Sequence, residues 1–419
     1  MTPSARLQAA IEILEALADT GKPADRYLRD WFRTRRYAGS KDRAAVAERV
    51  FGVMRKRAAL SWRMQSEAPR ALVIGSLEAE GLDGDVIAML FDGSKYGPAP
   101  LDVGERTALS HHREETPPPW VRGEFPAFLE AELARSLGRT LLDEMGAMTA
   151  RAPIDLRVNT LKAARDDVLA ELRREGFAAE PAPYAPHGIR IKQHEGASAL
   201  SRAQAFLEGR FEFQDEAAQI AALLCAAKPG ERILDLAAGA GGKALALAAE
   251  MHNRGLIVAS DNDPVRLAQL APRAARAGVT IVHEQTASAA AGEKFDAVFV
   301  DAPCTGSGAW RRQPEQKWRL TPERLIELQS LQDEMLDEAA RSAPARIVYA
   351  TCSLLACENE DRVDAFLERH TGYTMRPAVD IWHELTGAAP PPGMSETFRA
   401  TPLTTGTDGF FTASLARNT

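Results

Sequence analysis

The chain reads as an α/β protein built on a doubly wound, mostly parallel sheet, with a C-terminal antiparallel hairpin. A small βαβ module and an all-helical segment precede that sheet. Three observations carry this reading. From Phe211 onward, short apolar runs at 232–236, 256–260, 279–283, 297–300 and 347–350 are separated mostly by helical segments, as expected of parallel strands joined by crossovers. A turn of small residues, 237–242, follows the first run where a helix must begin. The run 295–300 ends in Asp301-Ala302-Pro303-Cys304, because proline cannot donate to a ladder. It delivers an acid and a thiol to the carboxyl end of a strand, where open α/β sheets bind ligands.

Composition bounds the rest. At 419 residues the chain is too long for one typical core. An apolar share of 45% with 26% charged residues is ordinary for a globular protein. No run approaches the roughly 18 apolar residues of a membrane span. Arg6, Glu12 and Glu15 interrupt the amphipathic start, so it does not read as a signal peptide. Four scattered cysteines form neither a disulfide framework nor a C-x-x-C pair. The expectation is a cytoplasmic monomer with no metal and no membrane partner. Net charge is −7, yet 26–63 holds twelve Lys and Arg against Asp30, Asp42 and Glu48. That run is either a solvated helical face or a phosphate-contacting patch.

Residues 1–90 read as a small helical bundle. Leu7, Ile11, Leu14 and Leu17 recur at helical spacing behind a Ser4 cap, and Val46, Val50 and Val53 do so behind Ser40. From Asp92 to Pro126 the Gly, Pro and polar content, with Pro117-Pro118-Pro119, marks a linker. A helical stretch over 126–150 follows. The alternation at 154–159, a helix through Val168, Leu169 and Leu172, and the strand-like 188–192 make a βαβ fragment too small for a large core of its own. At the far end, 397–402 and 410–415 flank Thr-Thr-Gly-Thr-Asp-Gly, a hairpin signal.

The turn Ala237-Ala238-Gly239-Ala240-Gly241-Gly242-Lys243 lets a ligand lie on the backbone and on a helix N-terminus. Twenty residues after Gly241, Asp261 closes the second strand and can accept both hydrogen bonds of a ribose diol. Together they point to an adenosine-type cofactor. A Walker phosphate loop is excluded by Ala237 and Ala244. Nicotinamide dinucleotides and S-adenosylmethionine both remain.

The thiols discriminate. Taken alone, Asp301-x-x-Cys304 would be a buried acid and a small hydrophobic residue. Cys352, however, follows the next strand in the same way. Two thiols, an acid and an adenosine site suggest covalent activation of an electron-poor ring. A thiolate added to carbon 6 of cytosine makes carbon 5 nucleophilic toward a sulfonium methyl. A carboxyl group beside N3 and N4 would support the charge that builds on the ring.

These residues resemble the Sun-type, ribosomal RNA small subunit methyltransferase B-like, RNA cytosine-5 methyltransferases. The likeness lies in Asp301-Ala302-Pro303-Cys304 with Lys317-Trp318, and in Thr351-Cys352-Ser353 with Glu358-Asn359-Glu360. It extends to Phe213-Gln214-Asp215-Glu216, Asp408-Gly409-Phe410-Phe411 and Leu156-Arg157-Val158-Asn159. The resemblance implies a helical NusB-like RNA-binding domain over 1–115 and a linker helix with a small ferredoxin-like RNA-binding module over 116–205. It implies a Rossmann-like methyltransferase domain over 206–419. It further implies S-adenosylmethionine as donor, ribosomal RNA as substrate, Cys352 as nucleophile, Cys304 in product release and Asp301 at the base. Lys243 joins both the catalytic and the cofactor-binding candidates, and Asp301 is counted with the latter too. The family's cofactor loop differs at Ala237, Gly239, Ala240 and Ala244, and its adenine-side Asp is replaced by Gln285-Thr286, where an amide or hydroxyl could serve. An RNA-binding assembly factor with impaired turnover is the alternative that these departures raise.

Overall fold

The structure is a computed structural model that describes residues 1–111, 115–192, 197–285, 293–342 and 344–418. It divides into two compact units. Met1–Ala134, Gly138–Ala150 and Trp310–Leu320 form the first; Arg135–Leu137, Arg151–Ala309 and Thr321–Thr419 form the second.

The first unit is helical. Helices Pro3–Asp19, Ala24–Arg33, Ser40–Arg55, Arg57–Met64, Pro69–Glu78 and Gly84–Leu90 bury Leu7, Ile11, Leu14, Leu17, Val46, Val50 and Val53 in one core. The caps differ from expectation. Thr2, not Ser4, caps the first helix through Ala5 N–H at 3.1 Å, while Ser4 donates to Asp92 at 3.2 Å. Gly39 precedes the helix starting at Ser40, and its N–H donates to Asp42. The stretch 92–126, read as linker, contains helix Val103–Ser110, opened by reciprocal bonds between Asp102 and Glu105. Its short length and proline-rich surroundings masked it.

Trp310–Leu320 belongs to this helical unit although its neighbours in sequence do not. Trp318 donates its indole N–H to Met54 O at 2.7 Å, and Lys317 donates to Glu124 O at 2.7 Å. The Glu124 carboxylate caps the helix at Arg57–Met64 through the N–H groups of Ala58 and Ala59. Burial pushes Glu124 up to about 7, against the pull of Lys317, and burial takes Lys317 down to about 8.

The second unit holds two sheets. The smaller has β1 (Ile154–Val158), β2 (Ala179–Pro181), β3 (Gly188–Ile191) and β4 (Phe211–Phe213) in the order β2-β3-β1-β4, every pair antiparallel. The expected βαβ unit is present in split form, β1 and β2 running the same way on either side of β3, the strand read at 188–192. β2 turns the chain, so that β3 returns antiparallel to β1, and β4 adds a fourth strand. With helix Arg165–Arg174 it buries Leu156, Val158, Val168, Leu172, Ile189 and Phe211 in a core of its own.

The larger sheet has β5 (Arg232–Leu236), β6 (Leu256–Ser260), β7 (Val282–Glu284), β8 (Ala297–Asp301), β9 (Arg346–Thr351), β10 (Tyr373–Arg376), β11 (Phe398–Ala400) and β12 (Phe410–Arg417). Its order is β10-β12-β9-β8-β5-β6-β7, with β11 pairing β12. Strands β9, β8, β5, β6 and β7 are parallel, whereas β10, β11 and β12 pair antiparallel. The hairpin β11–β12 matches the turn chemistry. Strand β10 was not anticipated, because Tyr-Thr-Met-Arg is a short run at the sheet margin.

Arg157 and Asn159 of the Leu156-Arg157-Val158-Asn159 motif point inward. Asn159 donates to Gly209 O at 2.9 Å and Ala277 O at 2.8 Å, and accepts from Leu161 N–H. It ties the small sheet to helix Leu270–Ala277, where Gly209, at φ +71°, lies so close that a Cβ would meet Arg276 O. Asn159→Ala should lower stability by about 1–3 kcal/mol through the unsatisfied buried groups left behind. A denaturant midpoint equal to that of the parent would refute this bracing role.

Candidate active site

Chain order reverses between β5 and β8: β6 and β7 lie to one side of β5, β8 and β9 to the other. That is the crevice where α/β sheets place ligands. The loop after β5, the end of β8 and the end of β9 all open onto it.

The loop is a backbone cradle. Gly239 and Gly241 sit at φ +54° and +81°, and Ala237 at φ +150°. The positive φ at 241 favours glycine, and a Cβ there would also fall 2.1 Å from Leu270 Cδ1 and push that side chain aside. The loop is pinned by Ala238 N–H to Ser260 O at 2.8 Å and by Arg273 to Ala240 O at 2.6 Å. Gly242 begins the following helix, and Arg157 Nη2 lies 3.5 Å from its carbonyl.

Asp261 lies beside this loop, but its oxygens accept from Gly239 N–H at 2.7 Å and from Asp263 N–H at 2.7 Å. Each carboxylate oxygen keeps a second lone pair, so a diol can still be received. Asp263, not Asp261, caps the next helix. Gln285 donates to Glu293 at 3.2 Å, and Thr286 lies outside the described residues.

Asp301 ends β8, with Ala350 of β9 as its register partner. Lys243 reaches it from the cofactor-side helix, donating to Oδ2 at 2.5 Å. Burial alone would lower the lysine, but the Asp301 carboxylate holds it above its ordinary value. One residue past β9 stands Cys352, and its Sγ is 3.4 Å from Cys304 Sγ. The hydrogen bond to Cys352, then burial, push the Cys304 thiol well up. Lys243, Asp301, Cys304 and Cys352 thus form one cluster, adjoining the loop 237–242. Cys225 is buried away from it, its thiol pushed up to about 11 by burial. Among the described residues no group of His, Cys, Asp and Glu could hold a metal ion.

The sequence reading missed Asp235. It is fully buried at the end of β5, and its oxygens make no well-formed hydrogen bond, with only a weak pull from Ala244 N–H. Burial, then the charge of Asp301, push it up to about 7. Its place one residue before the end of a buried strand was the available signal. An orphaned acid beside a glycine cradle fits a cofactor that brings its own donors and positive charge.

Comparison with known proteins places the chain among RNA methyltransferases by sequence. A family described as 16S rRNA methyltransferase RsmB/F matches residues 222–416, and the ferredoxin-like domain of RsmF/B-like methyltransferases matches 125–196. Ribosomal RNA small subunit methyltransferase F of Serratia proteamaculans is 32% identical over 70% of this chain, which spans 63% of that relative's length. Ribosomal RNA small subunit methyltransferase B of Sodalis glossinidius is 30% identical over 90% of both chains. The 28S rRNA (cytosine-C(5))-methyltransferase of Mus musculus is 31% identical over 70% of this chain and 71% of its own. Among solved structures, that of PH0851 covers 100% of this chain and 99% of its own, at TM-score 0.74 and 27% identity.

The raised acid has a measurable consequence. Folded Asp235 titrates near 7 against about 3.9 for a free Asp, so the folded state binds the proton more tightly. Its favourable contribution is present below about pH 4 and is lost as pH rises through about 7. Asp235→Asn removes that dependence. Its Tm should gain on the parent by several degrees between pH 5 and pH 8; a constant difference would show that Asp235 is not buried and unpaired.

Proposed function

The chain belongs to the RsmB/F family of 16S rRNA methyltransferases, and from that premise we propose that it methylates carbon 5 of a cytosine in ribosomal RNA, as a monomer in a reducing cytoplasm. The donor is S-adenosylmethionine. The observation that carries the reading is the pair of thiols 3.4 Å apart at the ends of adjacent strands, beside the Lys243–Asp301 pair.

The backbone of 237–242, Asp261 and Asp235 would hold the donor, with Lys243 and Asp301 at its reactive end. Bound there, it supplies an electrophilic methyl group. The remaining chemistry belongs to side chains. Cys304, whose thiol keeps its proton, can donate a hydrogen bond to the Cys352 sulfur as that sulfur attacks. Cys352 adds to carbon 6, and carbon 5 becomes enamine-like. Asp301, held by Lys243, can accept from the N4 amino group and so orient the ring, while the Lys243 ammonium beside it offsets the negative charge that thiolate addition builds there. Once Cys352 is bonded to carbon 6, the sulfur charge that held the proton on Cys304 is gone; Cys304 then releases that proton to water and, as a basic thiolate, takes the carbon 5 proton as the Cys352–carbon 6 bond breaks.

Cys352→Ala should be inactive and form no covalent RNA complex. Cys304→Ala should methylate once and accumulate a protein–RNA adduct stable in a denaturing gel. The reverse pattern would make Cys304 the nucleophile, and bisulfite sequencing of ribosomal RNA from a deletion strain would locate the base.

RNA contact by the helical unit is proposed for a smaller set than the basic run. Arg49, Arg57 and Arg63 are paired with Glu80, Glu67 and Glu78, and Arg35 lies over the Trp31 ring at 3.8 Å. Arg36 and Lys41 are exposed. Neutralising both should weaken specific and random RNA alike and lower the salt slope by about 0.7 per lost contact on a single strand. An unchanged slope would leave them a solvated face.

A further inference from the structure

The two thiols sit on separate loops, and their spacing has an identifiable cause. Glu358, at the end of the loop after β9, is fully buried. Its carboxylate accepts from Thr305 N–H at 2.9 Å, Thr305 Oγ1 at 2.6 Å, Ser353 Oγ at 2.5 Å and Gln332 Nε2 at 3.1 Å. Thr305 is the residue after Cys304, and Ser353 is the residue after Cys352. A single carboxylate oxygen, Oε2, receives both hydroxyls.

The surroundings reinforce the same link. Gln332 also donates to Pro303 O at 2.8 Å, which restrains the Cys304 loop from its other side. Ser307 Oγ lies 3.1 Å from Ser353 Oγ and accepts from Leu354 N–H. Gly308 N–H donates to Cys352 O at 2.9 Å. Of these links between the loops, the carboxylate of Glu358 makes the one that joins the residue after each thiol through a single group.

We propose that Glu358 is a positioning residue that clamps the residue after each thiol and thereby sets the distance between Cys304 and Cys352. The inference rests on the reading of these thiols as nucleophile and release group. Glu358 does not touch substrate; it acts through Thr305 and Ser353. Thiol chemistry that alternates between two sulfurs tolerates little displacement, and about 1 Å of misplacement can cost about a hundredfold in rate. The carboxylate does this better than a neutral acceptor, because bonds to a charged group are shorter and stronger. Its negative charge also disfavours a thiolate at Cys304, which supports the division of roles between the two sulfurs.

The test reads sulfur spacing directly. Diamide oxidises two adjacent thiols: the two hydrogens pass to its azo bond, which becomes a hydrazine, and the sulfurs join. The parent protein should form a Cys304–Cys352 disulfide, identified by peptide mass mapping. Glu358→Ala should form it about tenfold or more slowly, with kcat for RNA methylation down about a hundredfold and KM for S-adenosylmethionine changed less than about twofold. Glu358→Gln, which keeps an acceptor for Thr305 N–H, should stay within about threefold of the parent in disulfide rate. A folded Glu358→Ala protein with parental disulfide rate and kcat overturns the proposal. If that variant does not fold, Thr305→Val with Ser353→Ala removes both hydroxyls, and the same outcomes decide. Slow disulfide formation in a protein whose parent methylates no RNA would leave the clamp standing and sink the function. Normal disulfide formation with active parent enzyme would sink the clamp alone.

Discussion

Two carboxylates lie near one largely buried ammonium, and only one of them is paired with it. Lys243 is committed to Asp301 at 2.5 Å, with side chains only 14% and 30% exposed. That bond spans the crevice from the helix after β5 to the end of β8, so it fixes the separation of the cofactor loop from the reacting end. It also leaves Asp235 without an ion-pair partner, fully buried, with its pKa raised. A buried acid left in that state is costly unless a ligand completes it. The arrangement is therefore poised for a cationic occupant and is less stable without one.

Close backbone approach does for the thiols what the ion pair does for the cofactor loop. Gly409 N–H donates to Gly308 O at 2.8 Å, and a Cβ on Gly308 would fall 2.0 Å from Gly409 O. The strand β12 thus closes over the Cys304 loop, and Phe410 lies under Lys243 at 5.4 Å. Glycines here serve contact between two main chains rather than a turn. Glu358 adds the side-chain part of the same closure, joining Thr305 to Ser353 through one oxygen.

The segment Trp310–Leu320 shows why a motif can carry two kinds of information. Its first part continues from the Cys304 loop, but Lys317 and Trp318 are spent on Glu124 O and Met54 O inside the helical unit. The Leu156-Arg157-Val158-Asn159 run behaves alike. It marks a module associated with RNA by resemblance, yet Arg157 and Asn159 bond Gln214, Gly209 and Ala277.

The order of strands and helices from Phe211 onward was written in the sequence, because hydrophobic runs with glycine and proline punctuation report local conformation. So were the backbone cradle 237–242, Asp301 and the two cysteines, since each ends a readable strand. Local signals failed where partners are distant in the chain. The antiparallel return of β3, the capture of 310–320 and the short edge strand β10 depend on contacts made only after collapse. Charge states followed the same rule. Lys243 was visible as a residue, but its commitment to Asp301 is set by burial and distance, and so is the orphaning of Asp235. The sequence determined which groups arrive at the strand ends; the tertiary structure decided which of them are paired, which are left wanting, and how far apart the sulfurs stand, because those quantities depend on which strands become neighbours.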